Sequence, residues 1–233
     1  MIAEKDLNSC PENVKRYLLK AGVVEKQRKT FAHIIHDGEF RMKPKQKWFP
    51  ITGEYLFNPE VPDFVWTAKI KVFPLINISV TDQYKDGVGR SVVKLASIFP
   101  VANQSGREIS ESSLGRLLVE FILMPTALVP SKQLHWQSVD ANHALVVLQH
   151  NGYDVEAIFE FGHDGLPVKT IINRFGNFHG TMKKDSFICD LLDYKLHGGL
   201  LIPTDIRGAW NFPEGPFYWF HFKIKTVNYK PTA

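Results

Sequence analysis

At 233 residues, with 44% hydrophobic and 22% charged side chains, the chain is long enough to bury a full core and has the balance of an ordinary globular protein. Its formal charge of +4 is mild and comes from scattered lysines and arginines, which argues against a dedicated nucleic-acid surface. No apolar run reaches the length of a membrane span and no secretory leader opens the chain, so it reads as soluble and cytoplasmic; a longer natural precursor with an export signal or anchor would be periplasmic or membrane-anchored.

Ser9, Pro11 and Glu12 start a short amphipathic helix over residues 8–22, with Val14, Tyr17, Leu18 and Ala21 on one face and Gly22 as its stop. From residue 28 to 100 the apolar period changes to two, with Asp37-Gly38, Gly53, Pro59 to Pro62, Pro74 and Asp86-Gly87 as punctuation. Strands that follow one another without helices between them are antiparallel neighbours, because parallel pairing requires crossovers. The one tight basic group in this meander, Lys43, Lys45 and Lys47, reads as a solvated loop.

A central helix over residues 110–125 is the only long apolar helical segment: Leu114, Leu117, Leu118, Phe121 and Ile122 recur at helical spacing, and Pro125 opposes continuation past Met124. A second meander spans residues 134–230. Within it, Asn151-Gly152 joins His143 to Gln149 with Tyr153 to Phe161, a strong hairpin signal. His163-Asp164-Gly165 leads into the next strand, Phe175 to Lys184 reads as an exposed loop, and further strands are predicted at Ser186 to Leu196, Leu200 to Arg207 and Phe217 to Tyr229. The whole, residues 1–233, reads as a single mainly β (α+β) domain. Its predicted architecture is a strongly curved antiparallel sheet, a half-barrel or incomplete barrel, around the central helix, with the short N-terminal helix beside it.

Chemistry is harder to find. Cys10 and Cys189 lie far apart and read as isolated reduced thiols. There is no nucleophile elbow, phosphate-binding glycine loop or zinc-protease helix, and Gly87-x-Gly89 lacks the third glycine of a dinucleotide site. His33, His36 and Glu39 have the spacing of a helical metal site, but on a strand His33 and His36 point to opposite faces, so no metal or other cofactor is expected. Glu120 interrupts the apolar run and needs a cation, several donors or a proton to be buried; a structural ion pair with Arg174 is predicted, with Arg116, one turn earlier, and Arg207 as other candidates. The five tryptophans either fill the core of a curved sheet or line a cavity in it, and the sequence weighs the two equally.

The segments PENVKRYL at Pro11, PDFVWTAKI at Pro62, TDQYKDGVG at Thr81 and VEFILMPTALVP at Val119, with Trp136, resemble an uncharacterised bacterial family of unknown function. The stretch from Ile158 to Pro203, with its Asp-Gly turn, Tyr194 and Gly-x-x-x-Pro, is distantly similar to the LolA/LolB lipoprotein-carrier superfamily. That resemblance implies a curved sheet with an apolar cavity that accepts acyl chains. The functional expectation is therefore non-catalytic binding of a hydrophobic small molecule or lipid inside the sheet, with Trp66, Phe121 and Trp136 as ligand-binding wall residues and no catalytic residue. The alternatives are an enzyme using Asp82 and Glu120 as acid/base carboxylates, and a ligand-free protein-interaction scaffold presenting loops such as Ala209 to Phe217.

Overall fold

In the computed structural model, which describes residues 1–73, 76–178 and 180–231, the period-two stretches form one antiparallel sheet of 13 strands among the described residues. Alternation is clearest in Phe49–Asn58, where Phe49, Ile51, Gly53, Tyr55 and Phe57 face inward and the residues between them face out. The first meander comprises β1 (Lys29–Phe40), β2 (Phe49–Asn58), β3 (Asp63–Phe73), β4 (Ile76–Lys85), β5 (Val88–Leu95) and β6 (Phe99–Ser105). The second comprises β7 (Leu134–Ser138), β8 (His143–His150), β9 (Tyr153–Phe161), β10 (Pro167–Phe178), β11 (Thr181–His197), β12 (Leu200–Phe212) and β13 (Gly215–Pro231). They join where the first strand of one pairs with the last of the other, giving the order β6-β5-β4-β3-β2-β1-β13-β12-β11-β10-β9-β8-β7. The edge strands β6 and β7 do not pair, so the sheet is not closed into a barrel.

The link between those edges is helical: α2 (Arg107–Glu120) continues through 3-10 turns at Phe121–Leu123 and Pro125–Leu128. The helix packs on β5 from one arm and on β9 and β10 from the other, so the sheet curls around it. Its start is pinned where the Gly89 N–H donates to Ser110 Oγ at 2.9 Å; a Cβ on Gly89 would collide with the Ile109 carbonyl. Leu114, Leu117 and Leu118 are fully buried. The helix thus begins three residues before the predicted start, and its α-helical part ends at Glu120. The N-terminal segment is a 3-10 turn (Glu4–Leu7) followed by α1 (Glu12–Lys20), which buries Val14, Tyr17 and Leu18.

The predicted Asn151-Gly152 hairpin forms, and the Asp86-Gly87 punctuation is a hairpin turn as well. Asn151-Gly152 and Asp86-Gly87 adopt positive φ at both positions, the type I′ geometry that suits the right-handed strand twist. The tips meet across the opening: a Cβ on Gly87 would strike the Asn151 side chain, and the Tyr84 hydroxyl lies 3.0 Å from His150 Nδ1.

Three local predictions are corrected. Asp37-Gly38 is not a turn but lies within β1, where Gly38 pairs with Ile51 and Phe222 and a Cβ would collide with the His221 carbonyl; the glycine serves close backbone approach. The expected loop from Phe175 to Lys184 is the end of the β10–β11 hairpin, paired from Phe175↔Lys184 to Phe178↔Thr181. Its polar residues mark a solvent-facing ladder, and His179, like Pro74, lies outside the described residues. The Ala209 to Phe217 stretch is likewise largely strand, in β12 and β13. No helix among the described residues is long and apolar enough to cross a membrane.

Candidate functional site

Register builds the site. Ile34, Tyr55, Trp66, Asp82 and Ser91 are successive cross-strand partners over β1 to β5, so their side chains form one row on the concave face. A second row, two residues further along, runs His36, Gly53, Ala68, Val80 and Val93. The absent side chain of Gly53 is what admits the His36 ring, with which a Cβ there would clash.

Over the first row α2 places Arg116 and Glu120, one turn apart. Arg116 Nε donates to Glu120 Oε1 at 2.9 Å, and Nη1 donates to Asp82 Oδ2 at 2.8 Å. Asp82 Oδ1 accepts from Ser91 Oγ at 2.6 Å. The guanidinium lies 4.6 Å from the Trp66 ring centroid and 5.3 Å from that of Phe64, so an aromatic floor adds cation–π attraction. Burial works against the Arg116 charge, but Glu120 and Asp82 outweigh it and hold the guanidinium above its ordinary range. Burial, then the Glu120 charge, push the Tyr55 hydroxyl well up.

Trp66 Nε1 donates to His36 Nε2 at 2.9 Å, which assigns the neutral imidazole its proton on Nδ1. Burial and then the Arg116 charge bring His36 down to about 4. His33 faces the other side of the sheet, against Glu54, so the two histidines do not converge, as the strand reading requires.

The opposite arm contributes Arg174 on β10 and Cys189 on β11. Arg174 Nε donates to Ser112 Oγ at 3.0 Å, and its guanidinium stands 5.3 Å from the Phe187 ring centroid. Burial, then the Arg116 charge, lower Arg174 to about 10. Burial raises the Cys189 thiol to about 12, which leaves it protonated and a poor nucleophile.

Between these arms and the helix lies a cavity of ≈ 290 Å³, with Ile34, Ile70, Val80, Val93, Ile206 and Ile224 among its apolar walls. It adjoins a larger groove of ≈ 940 Å³, and Arg116 and Arg174 border both. Of the three predicted wall residues, Trp66 borders this cavity. Phe121 instead packs against Phe57 with ring centroids 6.2 Å apart. Trp136 donates to the Leu128 carbonyl at 2.8 Å and meets Phe159 edge-on. Glu120 is ion-paired as expected, but its partner is Arg116; the predicted pairing with Arg174 is replaced because one helical turn already aligns the closer guanidinium. Sequence reasoning missed Ser91 and weighed His36 only as a metal ligand, not as a partner of Trp66. Their only signal was alternation parity with Trp66 and Asp82, which needs the strand register to be read.

Fold and site together define a class: an open, coiled antiparallel sheet that cradles a helix and keeps a partly apolar cavity beside it. The chain belongs to the family of unknown function DUF6544, whose profile matches residues 1–222. No curated protein matches it. Among solved structures it is similar to a LolA superfamily protein from Nitrosomonas europaea, at 10% identity over 94% of each chain with a TM-score of 0.48. It is also similar to a domain named as an outer membrane lipoprotein-sorting protein from Vibrio parahaemolyticus, at 8% identity over 86% of each chain and a TM-score of 0.39. A β-barrel-like protein of the domain of unknown function DUF1849 from Brucella abortus shares 12% identity over 88% of this chain and 100% of that one, with a TM-score of 0.27.

Proposed function

We propose that the protein binds a hydrophobic or lipid-like molecule in the cavity between α2 and the sheet, without chemical turnover. The observation that carries this reading is the cavity itself: ≈ 290 Å³ walled mostly by branched aliphatic and aromatic side chains, near the lower limit of the roughly 300–1,000 Å³ of small-molecule sites. A cavity of that lining destabilises a fold through lost contacts unless something is gained from it, and burying an alkyl chain gains about 25 cal/mol per Å² of apolar area. Trp66 is the wall residue retained from the sequence reading; the aliphatic residues of β4, β5, β12 and β13 replace Phe121 and Trp136 in that role.

The acid/base alternative receives less support. Asp82 and Glu120 come together, but each has an oxygen committed to the same guanidinium, the arrangement of a structural buttress. The scaffold alternative calls for a close-packed interior, which this region lacks. An uncharged probe tests the binding reading: 1-dodecanol titrated into the protein, followed by tryptophan fluorescence. A saturable change is expected, and Ile206→Trp, which adds bulk to the cavity wall, weakens it at least tenfold. The absence of a saturable change in the unsubstituted protein contradicts the reading.

A further inference from the structure

The cavity contains an imbalance that its apolar walls do not explain. Four charged side chains meet there, and Arg116 takes both carboxylates, Asp82 and Glu120, while the second Asp82 oxygen is occupied by Ser91. Arg174 is left over. Among the described residues no carboxylate lies within ion-pairing distance of it; its Nε is bonded to a neutral hydroxyl and its face rests on Phe187. The Nη groups, which carry four of the five donors of a guanidinium, have no hydrogen-bond acceptor among the described residues, and the side chain borders both the cavity and the adjoining groove. Trp219 packs on the same Phe187 ring, borders the same two spaces, and has a buried Nε1–H with no acceptor among the described residues. Unpaired donors around a buried cation are costly, and a fork of parallel N–H groups fits the two oxygens of a carboxylate or a phosphate.

We propose that Arg174 is an anion anchor: the ligand is an acidic amphiphile whose carboxylate or phosphate head is held by Arg174 where cavity and groove meet, with its alkyl tail lying against the aliphatic walls. This rests on the apolar-ligand reading and adds the head group to it. Trp219 supplies a further donor toward the same head. The lowered proton affinity of Arg174, down to about 10, still leaves the side chain charged at neutral pH, and a bound anion relieves the burial and the Arg116 repulsion that cause the lowering. Arg116 differs in that its charge is already balanced by Asp82 and Glu120.

The test compares three probes with the same 12-carbon tail, dodecanoate, dodecyl phosphate and 1-dodecanol, titrated at pH 8 and read by tryptophan fluorescence. At least one anionic probe is expected to bind roughly tenfold or more tightly than the alcohol, as a charge-assisted pair in a desolvated site should. The ratio of the two anions tells a carboxylate site from a phosphate site. Arg174→Met brings the three affinities together, whereas Arg174→Lys, which keeps a charge and loses the fork, retains part of the preference. If the alcohol binds as tightly as both anions, the anchor is overturned and the apolar site stands. If no probe binds, both readings fall, and because these outcomes are read on the unsubstituted protein they do not depend on any variant folding. A preference that survives in Arg174→Met also overturns the assignment.

Discussion

Two parts of the sheet interior use similar aromatic side chains to opposite effect. Around Phe121, Phe57, Trp136 and Phe159 the rings meet in pairs, Phe121 with Phe57 and Trp136 with Phe159, each is almost fully buried, and the Trp136 N–H has its acceptor in the Leu128 carbonyl. Around Trp66, Phe187 and Trp219 the rings border a cavity, Trp66 against Arg116 and Phe187 against Arg174, and one indole N–H has no acceptor among the described residues. The difference lies in what the helical segment presents: Leu114, Leu117, Leu118 and Phe121 on its apolar sides, Arg116 and Glu120 toward the row from Ile34 to Ser91. Apolar side chains interdigitate freely. A guanidinium admits tight packing only where its donors are met, so charge placed inside a curved sheet keeps space open beside it.

The largest effects expected are at the two centres of that contrast. Phe159→Ala should destabilise by about 3–5 kcal/mol, because it removes a fully buried ring from the close-packed part, and the urea midpoint measures it. Arg116→Met should cost a similar amount, about 3–5 kcal/mol, by leaving Asp82 and Glu120 buried without their cation. Glu120→Ala should cost less, about 1–3 kcal/mol, since Arg116 keeps Asp82; a loss as large as that of Arg116→Met would show that the two carboxylates do not share one cation.

The pH dependence isolates the cavity side. Burial and the Arg116 charge hold His36 at about 4, below the 6.5 of a free imidazole, so the unfolded chain takes up this proton first as pH falls. The His36 contribution is fully present above pH 6.5 and is lost as the pH approaches 4, by up to about 3 kcal/mol. Urea midpoints measured across that window should show the loss, and His36→Gln should flatten the slope there. An unchanged slope in the variant would mean that His36 is not held neutral inside the fold.

Smaller changes sharpen the comparison. Ile206→Ala, at a wall that already borders free space, should cost about 2 kcal/mol or less, below the penalty of Phe159→Ala. Tyr84→Phe removes the hydroxyl that meets His150 between the two arms and should cost about 1 kcal/mol.

Much of the architecture was legible because it is local. Asn151-Gly152 and Asp86-Gly87 carry their turn geometry in two residues, and the helix from Ser110 carries its period in five. Asp37-Gly38 misled because the same dipeptide serves close approach within a strand, a use visible only when His221 is known to lie alongside. The Arg116–Glu120 pair lay at helical spacing and was weighed, while Asp82, 34 residues away, joins it only through the register of β3 and β4. Phe121 and Trp136 were reasonable wall residues by polarity and spacing. Their exclusion from the cavity depends on their packing against Phe57 and on the Leu128 carbonyl, which no sequence period encodes.

The central claim is that the space beside Arg116 and Arg174 is a binding site, and native mass spectrometry tests it most directly. Protein prepared without detergent is incubated with 1-dodecanol and with dodecanoate, alongside Ile206→Trp. The prediction is a single ligand per chain that survives transfer to the gas phase in the unsubstituted protein and is strongly reduced in the variant. Only unmodified mass, or a ladder of adducts identical in both proteins, would contradict it.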